Sequence, residues 1–221
     1  MIEILNVDKS YNGYVVLRDV NLLLRRGNVI GFEGDNGSGK TVLLKIICGL
    51  IQPDSGMILW NNKTIGKDID FPLNTGIMIE EPGFYQAYSA RANLRLLAAH
   101  RKCMDNQEVD EAIKMVGLDP RSRKPVGKYS MGMRQRLCFA QAIMEKPSLL
   151  ILDEPFNSLD QTWKDWMKRK IIQYASSDNL IILTSHRKED IDMLCNVIYH
   201  FENGMVTCTK NAENQHLMNC K

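Results

Sequence analysis

Hydrophobic positions follow three different rhythms along this chain, and each predicts a different element. In the first third, Val20, Leu22 and Leu24 alternate with other positions as a half-buried strand requires. Met1–Val7, Gly56–Trp60 and Gly76–Ile79 read as further strands. From about Ser89 to Lys146 the spacing turns helical. Asp105 with Glu108 three residues later predicts a capped helix start, and Gly117 predicts a stop after Ala112, Ile113 and Val116. Ser148–Leu152 and Asn179–Leu183 are unbroken apolar runs, the pattern of strands buried on both faces of a parallel sheet. Asn211–Lys221 is polar and reads as a loose tail or frayed helix. With no repeat, low-complexity segment or proline-rich linker, residues 1–221 are expected to form one domain with an inserted helical region.

The sharpest chemical signal lies between a strand and a helix. Asn28–Phe32 reads as a strand, and Val42–Ile47 as a helix closed by Gly49. Between them, Gly34-Asp35-Asn36-Gly37-Ser38-Gly39-Lys40-Thr41 has the spacing of a phosphate-binding loop. Glycines allow successive N–H groups of such a loop to face one concavity, and the helix start adds the positive end of its dipole. Asn36, Gly37, Ser38, Gly39, Lys40, Thr41 and Val42 are therefore expected to contact nucleotide. Lys40 would reach the β- and γ-phosphates, and the Thr41 hydroxyl would ligate Mg²⁺.

Composition narrows the setting. A net charge of +2 without runs of like charge gives no nucleic-acid patch, so no nucleic-acid partner is expected. No stretch of eighteen apolar residues suggests a membrane span, and the N-terminus does not resemble a signal peptide. Cys48, Cys103, Cys138, Cys195, Cys208 and Cys220 lack paired metal-site spacing, and read as free thiols of a reducing cytoplasm.

Downstream, Leu149–Leu152 runs into Asp153-Glu154, an apolar strand ending in two carboxylates. Asp153 at that strand end would hold Mg²⁺, and Glu154 could accept a proton from an attacking water. Before this strand, Tyr129-Ser130-Met131-Gly132-Met133 opens a helix. Here the sequence resembles the ATP-binding subunit of ABC transporters, whose Leu-Ser-Gly-Gly-Gln signature keeps its second and fourth positions as Ser130 and Gly132. Tyr129, Met131 and Met133 depart from it. The order of the remaining motifs fits the same resemblance, which runs from Tyr11 to about Val206. Ser158-Leu159-Asp160 looks like the loop that crosses the family's dimer interface, His186 stands where the family has its switch histidine, and Tyr11 where it has an adenine-stacking aromatic.

The resemblance implies an α/β P-loop NTPase fold of the ABC ATPase type. It would have a mixed sheet core, an N-terminal antiparallel β region and a helical subdomain inserted at about 84–146. It also implies an Mg²⁺-dependent ATPase that closes as a head-to-tail dimer, expected to be a homodimer, around two ATP. Lys40, Glu154 and His186 would be catalytic. Ser130, Gly132 and Asp160 would act across the dimer. The subunit would sit at the inner face of the cell membrane through a separate spanning subunit. The rival reading is an ABC ATPase acting in a non-transport process, for which neither a coiled-coil insertion nor a second ATPase half is present.

One departure points to a branch. Glu80, in Glu80-Glu81-Pro82, stands where most of the family has a Gln that contacts Mg²⁺ and water, so it joins Thr41 and Asp153 as an expected metal ligand. With the Ser-x-Gly-Met signature, it resembles the branch that exports, or confers immunity to, peptide antibiotics such as bacitracin and lantibiotics. Gly83–Leu97, with Phe84, Tyr85 and Tyr88, would be the surface that docks the membrane partner.

Overall fold

The computed structural model describes residues 1–80, 83–101, 104–176 and 178–211. Two sheets and a set of helices enclose two apolar layers. The first sheet is antiparallel, in the order β2-β1-β4-β5: β1 Ile2–Tyr11, β2 Tyr14–Leu24, β4 Ser55–Trp60 and β5 Lys63–Thr64. The second has the order β10-β9-β3-β8-β7-β6. It is formed by β3 Val29–Gly34, β6 Thr75–Met78, β7 Leu149–Leu152, β8 Leu180–Thr184, β9 Val197–Glu202 and β10 Met205–Lys210. All its pairings are parallel except β9 with β10. The expectation of a mixed sheet with an N-terminal antiparallel region is met.

The unbroken apolar runs are explained by what lies on either side of them. On β7, Leu149 and Ile151 face the layer between the two sheets, while Leu150 and Leu152 face the helices. On β8, Leu180 and Ile182 divide from Ile181 and Leu183 in the same way. Helix α1, Lys40–Ile47, fills the first layer with Leu43, Leu44, Ile46 and Ile47.

Between β6 and β7 the chain leaves the sheet and forms α2 Ala90–Arg101, α3 Asn106–Met115, a 3-10 turn Val126–Lys128 and α4 Met131–Ile143. The start of α3 is a complete capping box. The Asp105 carboxylate accepts from the Gln107 and Glu108 amides, and the Glu108 carboxylate accepts from the Asp105 amide. Gly117 closes the helix at φ 65°. Helix α4 lies so close to β6 that a Cβ at Gly76 would strike the Ala142 carbonyl, which fixes the inserted helices against the sheet edge.

Helices α5 Gln161–Tyr174 and α6 Lys188–Leu194 follow β7 and β8. Neither they nor β9 and β10 follow from the three rhythms above. The turn between β9 and β10 is nevertheless written in Asn203-Gly204, both at positive φ, the two-residue loop that matches strand twist. Asn12-Gly13 makes the same turn between β1 and β2. Cys48, Cys138 and Cys195 are buried and Cys208 is exposed. Burial alone pushes the Cys48 thiol up to about 12, and burial is also the main cause that takes Cys195 to about 12. Both are inert thiols at neutral pH. Cys103, Cys220 and the tail from 212 lie outside the described residues.

Candidate active site

The ends of three neighbouring parallel strands, β3, β8 and β7, together with the helix starts beyond them, bring the predicted chemistry to one edge of the sheet. Strand β3 ends at Gly34 and α1 begins at Lys40, so residues 35–39 form the loop between them. Gly39 caps α1 at φ 104°, and a Cβ there would meet the Val16 carbonyl and the Leu17 side chain. Only glycine satisfies both the dihedral and the space.

Lys40 is buried, and its ammonium donates to the Gly34 carbonyl at 2.8 Å and the Asp35 carbonyl at 2.7 Å. Burial lowers its pKa, while the carboxylates of Glu154, Asp153 and Asp35 oppose that shift. The loop carbonyls hold the ammonium, and the carboxylates offset part of its desolvation. Asn36, Gly37 and Ser38 border a groove of about 490 Å³ with Tyr14, Val16, His200 and Asn203. Val42 packs partly into the layer below.

A chain of hydrogen bonds through side chains and one backbone amide joins the loop to the carboxylates. The Thr41 hydroxyl donates to Asp153 Oδ2 at 2.8 Å. The Thr184 hydroxyl, at the end of β8, donates to Asp153 Oδ1 at 2.6 Å and accepts from the Glu154 amide at 2.8 Å. Glu154 stands at φ 47°, an uncommon backbone for a non-glycine residue, and its Oε2 lies 2.9 Å from His186 Nδ1. Gln135 on α4 donates to the Glu154 and Pro155 carbonyls at 3.1 and 3.0 Å, which ties the inserted helices to the turn after Glu154.

Thr184 and Gln135 escape a reading of the sequence. Thr184 looks like one more strand residue, and only the pairing of β8 with β7 puts its hydroxyl between two acidic residues. The Thr41 hydroxyl and the Asp153 carboxylate make a hard oxygen pair of the kind that shares Mg²⁺ with substrate phosphates, so the donor set fits that ion.

Other expected residues are further apart. The Glu80 carboxylate forms an ion pair with Lys45 of α1 at 2.6 Å. Tyr11 is exposed at the end of β1, with Lys9 Nζ 5.3 Å from its ring centre, and Tyr14 rather than Tyr11 borders the groove beside the loop. Ser130 is the exposed N-cap of α4 and accepts from the Met133 amide at 3.3 Å. Asp160 caps α5, accepting from the Trp163 amide at 3.0 Å. A Cβ on Gly132 would come 2.9 Å from the Ser158 carbonyl, which places the helix start of α4 against the loop before α5.

The family model for the ABC transporter matches residues 17–157. The chain belongs to the ABC transporter family. It is an ABC transporter ATP-binding subunit, and ATP binding and ATPase activity come with that family. The uncharacterized ABC transporter ATP-binding protein YybJ of Bacillus subtilis (strain 168) is 38% identical, over 96% of this chain and 97% of its own length. The bacitracin transport ATP-binding protein BcrA of Bacillus licheniformis is 35% identical over 88% of this chain, which spans 64% of it. The lantibiotic transport ATP-binding protein SrtF of Streptococcus pyogenes is 31% identical over 96% of this chain and 92% of its own. The resemblance to the bacitracin and lantibiotic branch is therefore shown.

Two solved structures share the fold. An ATP-binding subunit of an ABC transporter superposes with a TM-score of 0.84 at 23% identity, covering all of this chain and 95% of that one. A dimeric ATP-binding cassette in a post-hydrolysis state, bound to ADP and Pi, gives 0.82 at 20% identity, over 96% of this chain and all of that one. Among the described residues no helix of this ABC protein is long and apolar enough to cross a membrane.

Proposed function

We propose that this chain hydrolyses ATP to drive a transporter whose membrane-spanning part is a separate subunit. The observation that carries the chemistry is the Glu154–His186 contact of 2.9 Å, reached through Thr184 and Asp153 from the phosphate loop. In this reading Asn36–Val42 bind the phosphates, and the Lys40 ammonium leaves its loop carbonyls for the β- and γ-phosphate oxygens. Tyr11 stacks on the adenine. Thr41 and Asp153 hold Mg²⁺, which supplies positive charge against the phosphate oxygens when bound. Glu80 remains a proposed outer ligand that must first leave Lys45.

Glu154 takes a proton from water as the water oxygen bonds to the γ-phosphorus and the bond to the ADP oxygen breaks, giving ADP and phosphate. His186 holds the Glu154 carboxylate and orients the water. Ser130, Gly132 and Asp160 serve a second copy of the chain in a head-to-tail dimer, where Ser130 at the start of α4 offers a hydroxyl and helix amides to an anion.

Residues 84–146 form the inserted helical subdomain of a single domain spanning 1–221. The segment Gly83–Leu97 docks the membrane partner, with Tyr85 and Tyr88 exposed there, and this keeps the subunit on the inner membrane face. Relatives named for bacitracin and lantibiotic transport support a peptide antibiotic as the exported cargo. The test is affinity purification of the tagged subunit from solubilised membranes. A co-purifying multi-span protein that stimulates ATP hydrolysis is the expected result. Exclusive recovery of soluble partners would overturn the transport reading while leaving the ATPase chemistry standing.

A further inference from the structure

A buried ion pair lies behind the site. Lys168 of α5 meets Asp190 of α6 at 2.5 Å, with the Lys168 side chain 12% exposed and that of Asp190 1%. The other Asp190 oxygen, Oδ2, is buried and has no hydrogen-bond partner among the described residues. The Lys168 ammonium also stands 5.6 Å from the centre of the Phe156 ring. Phe156, Met167, Ile171, Ile191 and Leu194 belong to the same apolar layer.

Such a pair is a poor way to stabilise a core. Two charges lose their hydration, and one carboxylate oxygen finds no donor among the described residues to replace it. Apolar residues of similar size often serve stability as well or better. Its place in the chain offers another explanation. Phe156 comes two residues after Glu154, and Asp190, in the first turn of α6, comes four residues after His186. Lys168 therefore touches, with one charged group, the segments that follow both partners of the Glu154–His186 contact. That contact has no backbone ladder of its own, because both residues lie beyond their strand ends.

We propose that Lys168 and Asp190 are positioning residues for hydrolysis. Their ion pair, with Phe156 beneath the ammonium, fixes the turn after Glu154 relative to helix α6, and so sets the distance between Glu154 and His186. This rests on the roles proposed for Glu154 and His186.

The test is a paired substitution, Lys168→Met with Asp190→Leu, which removes both charges and keeps apolar volume. Its melting temperature is expected to match or exceed that of the unsubstituted protein. ATP affinity is expected to be unchanged, because the phosphate loop is untouched. The kcat is expected to fall at least tenfold, and the His186 ring resonances, assigned by their loss in His186→Gln, to shift.

A purely structural pair would change melting and leave kcat and the His186 signals alone, and that result overturns the proposal. Asp190→Asn, which keeps shape and an acceptor for Lys168, decides the matter if the paired variant does not fold. Reduced kcat at unchanged ATP affinity supports the positioning role, and an unaltered kcat overturns it. Glu154→Gln, run alongside, separates the two levels. Full activity there removes the reading on which the proposal rests, whereas a dead Glu154→Gln beside a fully active paired variant removes only the proposal.

Discussion

The phosphate-loop side and the signature side of this molecule are built in opposite ways. On the first, Thr41, Asp153, Thr184, Glu154 and His186 are joined by consecutive hydrogen bonds of 2.6 to 2.9 Å across one helix start and two strand ends. On the second, the Ser130 hydroxyl makes a 3.3 Å capping contact within its own helix start, and Met131 beside it is 66% exposed. One side is organised by the fold that carries it. The other offers a helix start and little else, which suits a surface completed by a second copy. Reactions that need a preset geometry gain most from groups that do not have to reorganise at the moment of reaction. The bond-breaking chemistry we propose uses only groups of the first side.

The largest test of that contrast is Glu154→Gln. Loss of a general base lowers the rate by about 10²–10⁴-fold, so hydrolysis should nearly vanish while ATP binding persists and an ATP-bound dimer accumulates in size-exclusion chromatography. Unchanged turnover would dissolve the distinction between the two sides.

Next is Thr184→Val. The buried hydroxyl serves Asp153 and the Glu154 amide together. Its loss should cost about 1–3 kcal/mol of stability by chemical denaturation, the usual penalty for leaving buried polar groups unpaired.

Ser130 offers a finer cut. Ser130→Ala removes the cap and should cost about 0.5–2 kcal/mol, whereas Ser130→Gly should cost only a few tenths. If the hydroxyl meets phosphate across a dimer, Ser130→Gly will melt almost normally and still hydrolyse ATP poorly, with nucleotide affinity of the isolated chain unchanged. Normal hydrolysis in Ser130→Gly would reduce the signature to a helix cap.

The smallest effect is expected at Lys45. Its pair with Glu80 is half open to solvent and worth about 0.2–1 kcal/mol at most. Lys45→Ala frees the Glu80 carboxylate for the proposed metal site, so Mg²⁺-dependent ATP binding should tighten a few-fold. Adding Glu80→Gln should cancel that gain, and equal affinity of the single and double variants in isothermal titration would remove Glu80 from the metal's ligands. Glu80→Gln alone is expected to keep binding and to alter hydrolysis or its coupling to transport.

Much of the candidate site's placement was legible in the chain because its residues sit at the junctions of strongly patterned elements. Gly34–Thr41 joins an apolar run to a helix, Asp153-Glu154 ends one, and His186 follows another. A residue at such a junction has its location fixed by parallel pairing before any side-chain detail is known. Thr184, Gln135, Lys168 and Asp190 were not legible because their meaning depends on which elements become neighbours. A threonine closing an apolar strand carries no mark of the two acids it will join. Nor do a lysine in α5 and an aspartate in α6 announce that they will meet in the core. Tyr11 shows the limit from the other direction. Its place in the motif order marks it for adenine, yet in this structure it stands exposed at a hairpin end while Tyr14 borders the groove.

The central place of β3 has a consequence for how the protein is made. β3 pairs with β8 on one side and β9 on the other, and the Val29 amide is received by Asn196, 167 residues further on. The strand that carries the nucleotide loop leaves the ribosome well before either of its neighbours. Such distant parallel pairings close slowly and leave apolar edges open in the interval. During synthesis β3 waits, unpaired, until β8 and β9 have emerged, which makes this segment the natural client for a chaperone and the point where chains cut short of β8 would aggregate.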